Sequence, residues 1–271
     1  MLLKELITLL DDEISPQTYS SEKEFHGIQY GTFKENKPIH KILITIDLNK
    51  KAIHHAVVKK YNLIISFNPL LREPILKFNS NLINKLNLLS NYPMIIYILN
   101  AAFYMGSYGI FDTIQNVLYL EIEDLLETTT NEISVNLGIV CKPKFYPDQE
   151  KPFLLLNLLS RIKNVISSEK IRFIGNLKCE IEKICIIRGK TINSKILNEL
   201  EEIGCNCIIS DQLDYQEASY LNDIGMTFLE FPRYYSTTIS LKKLTNYLSL
   251  HFPREEFTYF DSENPFKTLS K

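Results

Sequence analysis

No G-x-S-x-G, G-x-x-x-x-G-K-S/T or G-x-G-x-x-G segment occurs in this chain, so it lacks the nucleophile elbow, the phosphate loop and the dinucleotide fingerprint. Gly106 to Gly109 is a lone, short glycine loop. Neither sign of charge is in surplus: 30 basic and 32 acidic side chains leave a net −2, which excludes bulk attraction to nucleic acid or anionic membrane. The longest apolar runs, such as MIIYILNAAFYMG from Met94, fall far short of the ~20 residues a membrane span needs. The first residues, MLLKELITLLDDEIS, show no basic leader, apolar block and cleavage site in succession; their helical spacing predicts a first helix packed on a core. Cysteine is scarce and odd in number, five in 271 residues. Without a secretion signal that argues for reduced thiols and a cytoplasmic location. Cys205 and Cys207 lie two apart instead of in a C-x-x-C pair, and the expectation is buried strand thiols.

What is present is an ordinary globular composition, 45% apolar and 23% charged, at a length that fits two modest domains. The chain is organised around Tyr61 to Pro74, YNLIISFNPLLREP. Leu63, Ile64 and Ile65, closed by Ser66 and Phe67, read as a buried strand that Asn68-Pro69 ends, because proline cannot donate to a ladder. Loops at the carboxyl ends of strands line the ligand crevice of open α/β sheets, so Phe67 and Asn68 fall where a site belongs. Around this stretch, KILITIDLN (41–49) reads as a strand, 50–62 as a helix, 79–91 as a helix and 93–99 as a strand. That β-α-β-α-β order predicts a parallel sheet. Residues 14–38 read as a long loop or hairpin, 111–120 as a helix, and the acidic 121–132 as a crossing between lobes. Further on, strands are expected over 134–144, 171–176, 183–189, 205–211, 226–232 and 257–260, with helices over 152–167, 194–203, 213–225 and 240–251. The class is α/β, in two lobes: 1–125 with 233–271, and 126–232.

The titratable residues favour structural roles. His54-His55 lie ~100° apart on a helix, on a solvated face, and His26, His40 and His251 are isolated in sequence. Asp211, Asp214 and Glu217 could serve acid–base work, but helix N-capping explains Asp211 or Asp214 better. Tyr234-Tyr235 fits packing or an interface better than a substrate shelf.

The segments ILITIDLN, IISFNPLL, GIFDTIQNVL, IRFIGN, ICIIRGK, CIISD and the tail DSENPF, in that order and spacing, resemble the GTP cyclohydrolase I type 2 homologue family, the Nif-three-like proteins, over nearly the whole chain. The resemblance implies a two-lobed fold, each lobe a mixed sheet flanked by helices, assembled into ring-like hexamers, with a two-metal site between the lobes. Carried over residue by residue, the family's His-His pair falls on Phe67 and Asn68, with Pro69 kept. Its His-Thr-Asn-x-Asp segment falls on Asn100 to Tyr104, its late His on Arg233 with Tyr234 keeping the Tyr, its Glu on Thr237, and a further His on Gln216. Phenylalanine offers no lone pair and arginine brings a fixed positive charge, so this set is expected to hold no divalent metal.

The expectation is therefore a metal-free, non-catalytic pseudoenzyme with no cofactor, acting as an oligomeric binding or scaffolding protein. The alternative is a metal-independent enzyme, or a protein binding an anionic metabolite or nucleotide in the inter-lobe cleft. Its candidate ligand-binding residues are Asn68, Tyr104, Asp211, Arg233 and Thr237. Expected partners are further copies of the chain, then a protein or an anionic small molecule, with neither nucleic acid nor membrane among them.

Overall fold

The computed structural model describes residues 1–16, 24–130, 133–149, 151–166 and 170–267. The chain divides into two compact units, Met1–Gly109 with Thr237–Lys271, and Ile110–Ser236. Each has its own mixed sheet.

In the first unit, α1 (Leu3–Leu9) buries Leu3, Leu6 and Leu9, the face its helical spacing predicts, and continues through one π turn to Ile14. The sheet contains β1 (Gly27–Tyr30), β2 (Lys41–Thr45), β3 (Leu63–Ser66), β4 (Ile95–Ile98) and β11 (Glu256–Phe260), in the order β1-β4-β3-β2-β11. β11, β2, β3 and β4 run parallel and β1 lies antiparallel against β4. Strands β3 and β4 are buried at every residue, as near-continuous apolar runs in a covered parallel sheet should be. The crossovers are α2 (Lys50–Val58) and α3 (Ser80–Leu89). Each starts on an asparagine whose side-chain oxygen accepts from a backbone N–H of the first turn: Asn49 from Ala52 at 2.8 Å and Asn79 from Leu82 at 2.9 Å. Ile53 and Ala56 of α2 and Leu89 of α3 pack over Leu43, Ile64, Ile96 and Ile98.

In the second unit, β5 (Leu120–Thr130), β6 (Ile133–Pro143), β7 (Phe173–Ile174), β8 (Ile184–Ile187), β9 (Cys207–Ser210) and β10 (Thr227–Glu230) take the order β5-β6-β8-β9-β10-β7. Strands β8, β9 and β10 are parallel, and the other three are antiparallel to their neighbours. The helices are α4 (Ile110–Val117), α5 (Leu155–Val165), α6 (Ser194–Glu202) and α7 (Tyr215–Asp223), and α8 (Arg233–His251) starts within this unit. Ile196, Leu197 and Leu200 of α6 and Leu221 of α7 pack against Cys185, Ile187, Ile208 and Phe228 of the strands.

Several expectations need correcting. The acidic 121–132 is no crossing: residues 120–130 form β5, paired with β6 along its length. It is an edge strand, and its charges are edge chemistry, with Lys142 reaching Glu121 at 3.8 Å and Glu123 at 3.4 Å. The 14–38 region contributes β1, whose partner β4 is distant in sequence, so it is no local hairpin; residues 17–23 lie outside the described ones. α2 stops at Val58, and Lys60 turns the chain at φ 60°. The strand expected over 171–176 is two residues long, and Gly175 (φ 112°) ends it. α5 begins three residues later than expected, at Leu155, and Ser167 falls outside the described residues. α8 begins at Arg233 instead of Ser240. Cys205 precedes β9 and does not share a strand with Cys207.

All five cysteines are free, and Cys141, Cys185, Cys205 and Cys207 are buried. Burial raises their pKa values, to about 12 for Cys141 and Cys207 and about 11 for Cys205. These thiols stay protonated and unreactive near neutral pH. Among the described residues, no helix is long and apolar enough to cross a membrane.

Each unit holds a largely buried polar network away from its strand ends. In the second, the Arg161 guanidinium donates to the carbonyls of Leu118 (2.8 Å), Tyr119 (2.9 Å) and Lys144 (2.6 Å) and to Gln149 Oε1 (2.8 Å), while Phe153 and Tyr146 flank it at 4.5 and 4.9 Å. Arginine thereby ties α5 to the α4–β5 turn and to the end of β6. In the first unit, Tyr97 Oη donates to Asp11, Ser15 Oγ to the Leu10 carbonyl, and His26 Nε2 lies 2.9 Å from Ser15 Oγ and 3.1 Å from Tyr97 Oη.

Arg161→Met should destabilise the second unit by about 3 kcal/mol, since it removes the guanidinium donors from three carbonyls, of which that of Tyr119 keeps the Lys144 N–H. A smaller loss in chemical denaturation, under about 1 kcal/mol, would show that the carbonyls find other donors. For His26, burial lowers the pKa and outweighs the opposing pull of Asp11. A lowered folded-state value means that the unfolded chain takes the proton first, so stability is full above the ordinary value of 6.5 and falls as pH drops below it. The native chain should therefore lose stability between pH 6.5 and 5 more steeply than His26→Gln, by at most about 1.4 kcal/mol per pH unit. Parallel pH profiles for the two proteins would refute this.

Candidate functional site

Parallel strands deliver their last residues to one end of a sheet, and in each unit that end collects the residues expected to form a site. In the first unit, the β2–β3 ladder runs on past the strands: Phe67 N–H donates to the Thr45 carbonyl (3.0 Å) and Asn68 N–H to that of Ile46 (2.8 Å). On the other side Asn100 N–H donates to the Phe67 carbonyl at 3.0 Å. Phe67 and Asn68 are thus held at the carboxyl end of β3, where the sequence puts them, with Asn100 beside them at the end of β4. Residues Asn100–Tyr104 form a 3-10 turn that buries Phe103 and Tyr104.

The side chains there are arranged for packing. Phe67 is 4% exposed, with its ring centroid 6.3 Å from that of Phe103 and 5.9 Å from that of Tyr104, edge to face. Asn68 turns to Asp47, donating from Nδ2 to Oδ1 at 2.8 Å. Asp47 lies just past the end of β2, and sequence reasoning missed it, since nothing in the spacing links it to Asn68. The tail closes the neighbouring end: Ser262 Oγ bonds Thr45 Oγ1 (2.8 Å) and accepts from Asp47 N–H (3.1 Å). This lies between β2 and β11, where the strand order reverses, so the DSENPF tail occupies the sheet's switch point. Thr237 is fully buried and its hydroxyl has no partner among the described residues.

In the second unit, β8, β9 and β10 bring Gly189, Asp211 and Arg233 together. Asp211 has a side chain only 6% exposed and accepts from Gly189 N–H through Oδ1 (2.8 Å) and from Arg233 Nε through Oδ2 (2.5 Å). Arg233 also donates from Nη2 to Gln212 Oε1 at 3.1 Å. Glycine is required at 189, because a Cβ there would lie 2.4 Å from the Gln212 carbonyl oxygen and 2.9 Å from Asp211 Oδ1. The capping role expected of Asp211 or Asp214 is corrected: Asp214 occupies the N-cap of α7 without a side-chain bond, and Asp211 serves Gly189 and Arg233. Gln216 is exposed on the first turn of α7.

These side chains do not fit a pair of divalent metal ions. Phe67 is hydrocarbon packed among rings, Arg233 is a cation already paired, and Asn68, Tyr104 and Thr237 are poor ligands at neutral pH. Among the described residues, no three His, Cys, Asp or Glu side chains converge as a ligand set. Elsewhere, the His55 ring packs at a tilt against that of Phe260, with centroids 5.1 Å apart, instead of facing only solvent, and Tyr234 and Tyr235 pack edge to face at 5.4 Å.

The sequence profile of the Duf34/NIF3 (NGG1p interacting factor 3) family matches residues 1–265. The chain is similar to a GTP cyclohydrolase 1 type 2 homolog of Clostridium perfringens, 22% identical over 239 residues and 87% of either chain. Among solved structures it resembles a Bacillus cereus protein related to NIF3 (TM-score 0.80, 13% identity, 99% of both chains) and reduced HcgD from Methanocaldococcus jannaschii (TM-score 0.77, 20% identity, 96% of this chain and 97% of that one). At such identities the structural likeness shows the fold.

The Arg233–Asp211 pair generates a direct test. Arg233 is about a third exposed, so Arg233→Met should cost about 2 kcal/mol, less than for a fully buried pair. A double-mutant cycle with Asp211→Asn should return a coupling of about 1–2 kcal/mol. Additive losses in thermal or urea unfolding would mean that the two residues stabilise the unit separately.

Proposed function

Because the chain belongs to the Duf34/NIF3 family, we propose that it is a metal-free, non-catalytic member that works as an oligomeric binding or scaffolding protein. The observation that carries this reading is the Arg233–Asp211–Gly189 arrangement. At the position where the family resemblance implies an imidazole ligand, this chain has a guanidinium whose charge is met by its own carboxylate. A cation held at 2.5 Å from a buried carboxylate both repels a metal and occupies the oxygen that could bind one. The Phe67 ring supports the same reading from the first unit, since the place of a ligand is taken by packing against Phe103 and Tyr104. An alternative in which Arg233 receives an anionic metabolite has less support, because Asp211 and Gln212 already accept from it.

Two measurements test the proposal. Elemental analysis of the purified protein should find well under one transition metal per chain; two tightly held metals per chain would overturn the metal-free reading. Sedimentation at micromolar concentration should show an assembly of several copies, and a stable monomer would overturn the oligomeric one.

A further inference from the structure

After Asn68-Pro69 the chain enters no helix or strand until α3 begins at Ser80. Gln29 of β1 fixes the start of this segment: Oε1 accepts from the N–H groups of Leu70 (2.6 Å) and Leu71 (3.1 Å), and Nε2 donates to the Leu71 carbonyl (2.9 Å). From that anchor, the segment and the first turns of α3 border an open cavity of about 380 Å³. Three cations line it, Arg72, Lys77 and Lys85, against one carboxylate, Glu73, with Leu71 and Leu82 among its apolar wall.

Lys85 gives the cavity its chemistry. It is half-buried on α3, and among the described residues no hydrogen bond or ion pair reaches its ammonium. Burial lowers its pKa; Asp47 opposes this, while Arg72 and Lys50 add to it. Asp47 is itself engaged by Asn68. Lys85 thus stands half-buried beside the exposed Arg72 and Lys77, with Glu73 the one carboxylate lining the cavity against three cations. Such a group is satisfied by an anion from outside.

We propose that the cavity formed by the Leu70–Lys77 segment and α3 binds the phosphate group of a small phosphorylated molecule, held by Lys85, Arg72 and Lys77. A phosphate dianion offsets two of the three positive charges and offers the guanidinium fork two oxygens at once. The volume exceeds that of a bare phosphate and falls within the range of small-molecule sites. The leucine wall suits the carbon portion of such a ligand. The site lies wholly in the first unit and uses neither Arg233 nor Asp211, so its test is independent of the metal-free reading.

Pyrophosphate is the probe, titrated at ionic strength held constant with sodium chloride, with the thermal midpoint followed. The native chain should show a rise that saturates as simple binding linkage requires. Lys85→Met and Arg72→Met should each weaken the apparent affinity tenfold or more, while Lys163→Met, which removes an exposed charge from α5 of the other unit, should leave it unchanged. Absence of a saturable rise in the native chain, or a Lys85→Met protein that binds as the native one does, overturns the proposal. Should Lys85→Met fail to fold, limited acetylation of the native chain decides. Pyrophosphate should protect Lys85 and spare Lys163 no modification, and equal labelling of Lys85 with and without it overturns the site.

Discussion

Parallel pairing is the constraint on which the rest depends. A parallel ladder needs every strand to end on the same side, so β2, β3 and β4 in the first unit and β8, β9 and β10 in the second each deliver loop residues to a common end. What stands there is then decided by single side chains. In the first unit a phenylalanine makes the end of β3 part of an aromatic cluster, and the tail serine takes the reversal point between β2 and β11. In the second unit a carboxylate at the end of β9 draws in a backbone N–H from the end of β8 and a guanidinium from the end of β10.

Asp211 shows how one buried charge dictates its surroundings. A carboxylate 6% exposed must be met by donors. The Gly189 N–H can reach it only because residue 189 has no Cβ. Arg233 in turn is the first residue of α8, where the helix dipole disfavours a cation. The arginine offsets the carboxylate's burial and the carboxylate offsets the dipole, so neither residue suits its place without the other.

The central strands were legible in the sequence because strands covered on both faces appear as unbroken apolar runs: LIIS, IIYI, ICII and CIIS are all buried throughout. The edges were not. β5 is acidic because one side of it meets water, and it reads as a linker; β1 and β7 are four and two residues long and pair only with distant partners. The start of α8 was hidden because Phe231-Pro232 looks like a strand end and the serines and threonines behind it are weak helix formers. Of the candidate site, the strand-end places of Phe67, Asn68 and Asp211 could be read from Asn68-Pro69 and from the polar residues after CIIS. The Asp47–Asn68 bond and the His26 cluster could not, since Asp11 and Tyr97 stand 86 residues apart and meet only in the fold.

Three partly or wholly buried cations separate structural charge from charge left over. Arg161 spends its donors on three carbonyls and a glutamine, and Arg233 on a carboxylate and a glutamine. In both cases partners contributed by loops and strand ends match the fork of the guanidinium, and the charge ties secondary elements together. Lys85 has burial and like-charged neighbours, yet no such partner among the described residues. A lysine on α3 could have extended fully into water at little cost, so its half-buried place beside Arg72 reflects the course of the Leu70–Lys77 segment, which Gln29 anchors. The strand end that carries Phe67 thus leads, within a few residues, into the segment whose Arg72 and Lys77 stand with Lys85 around the cavity.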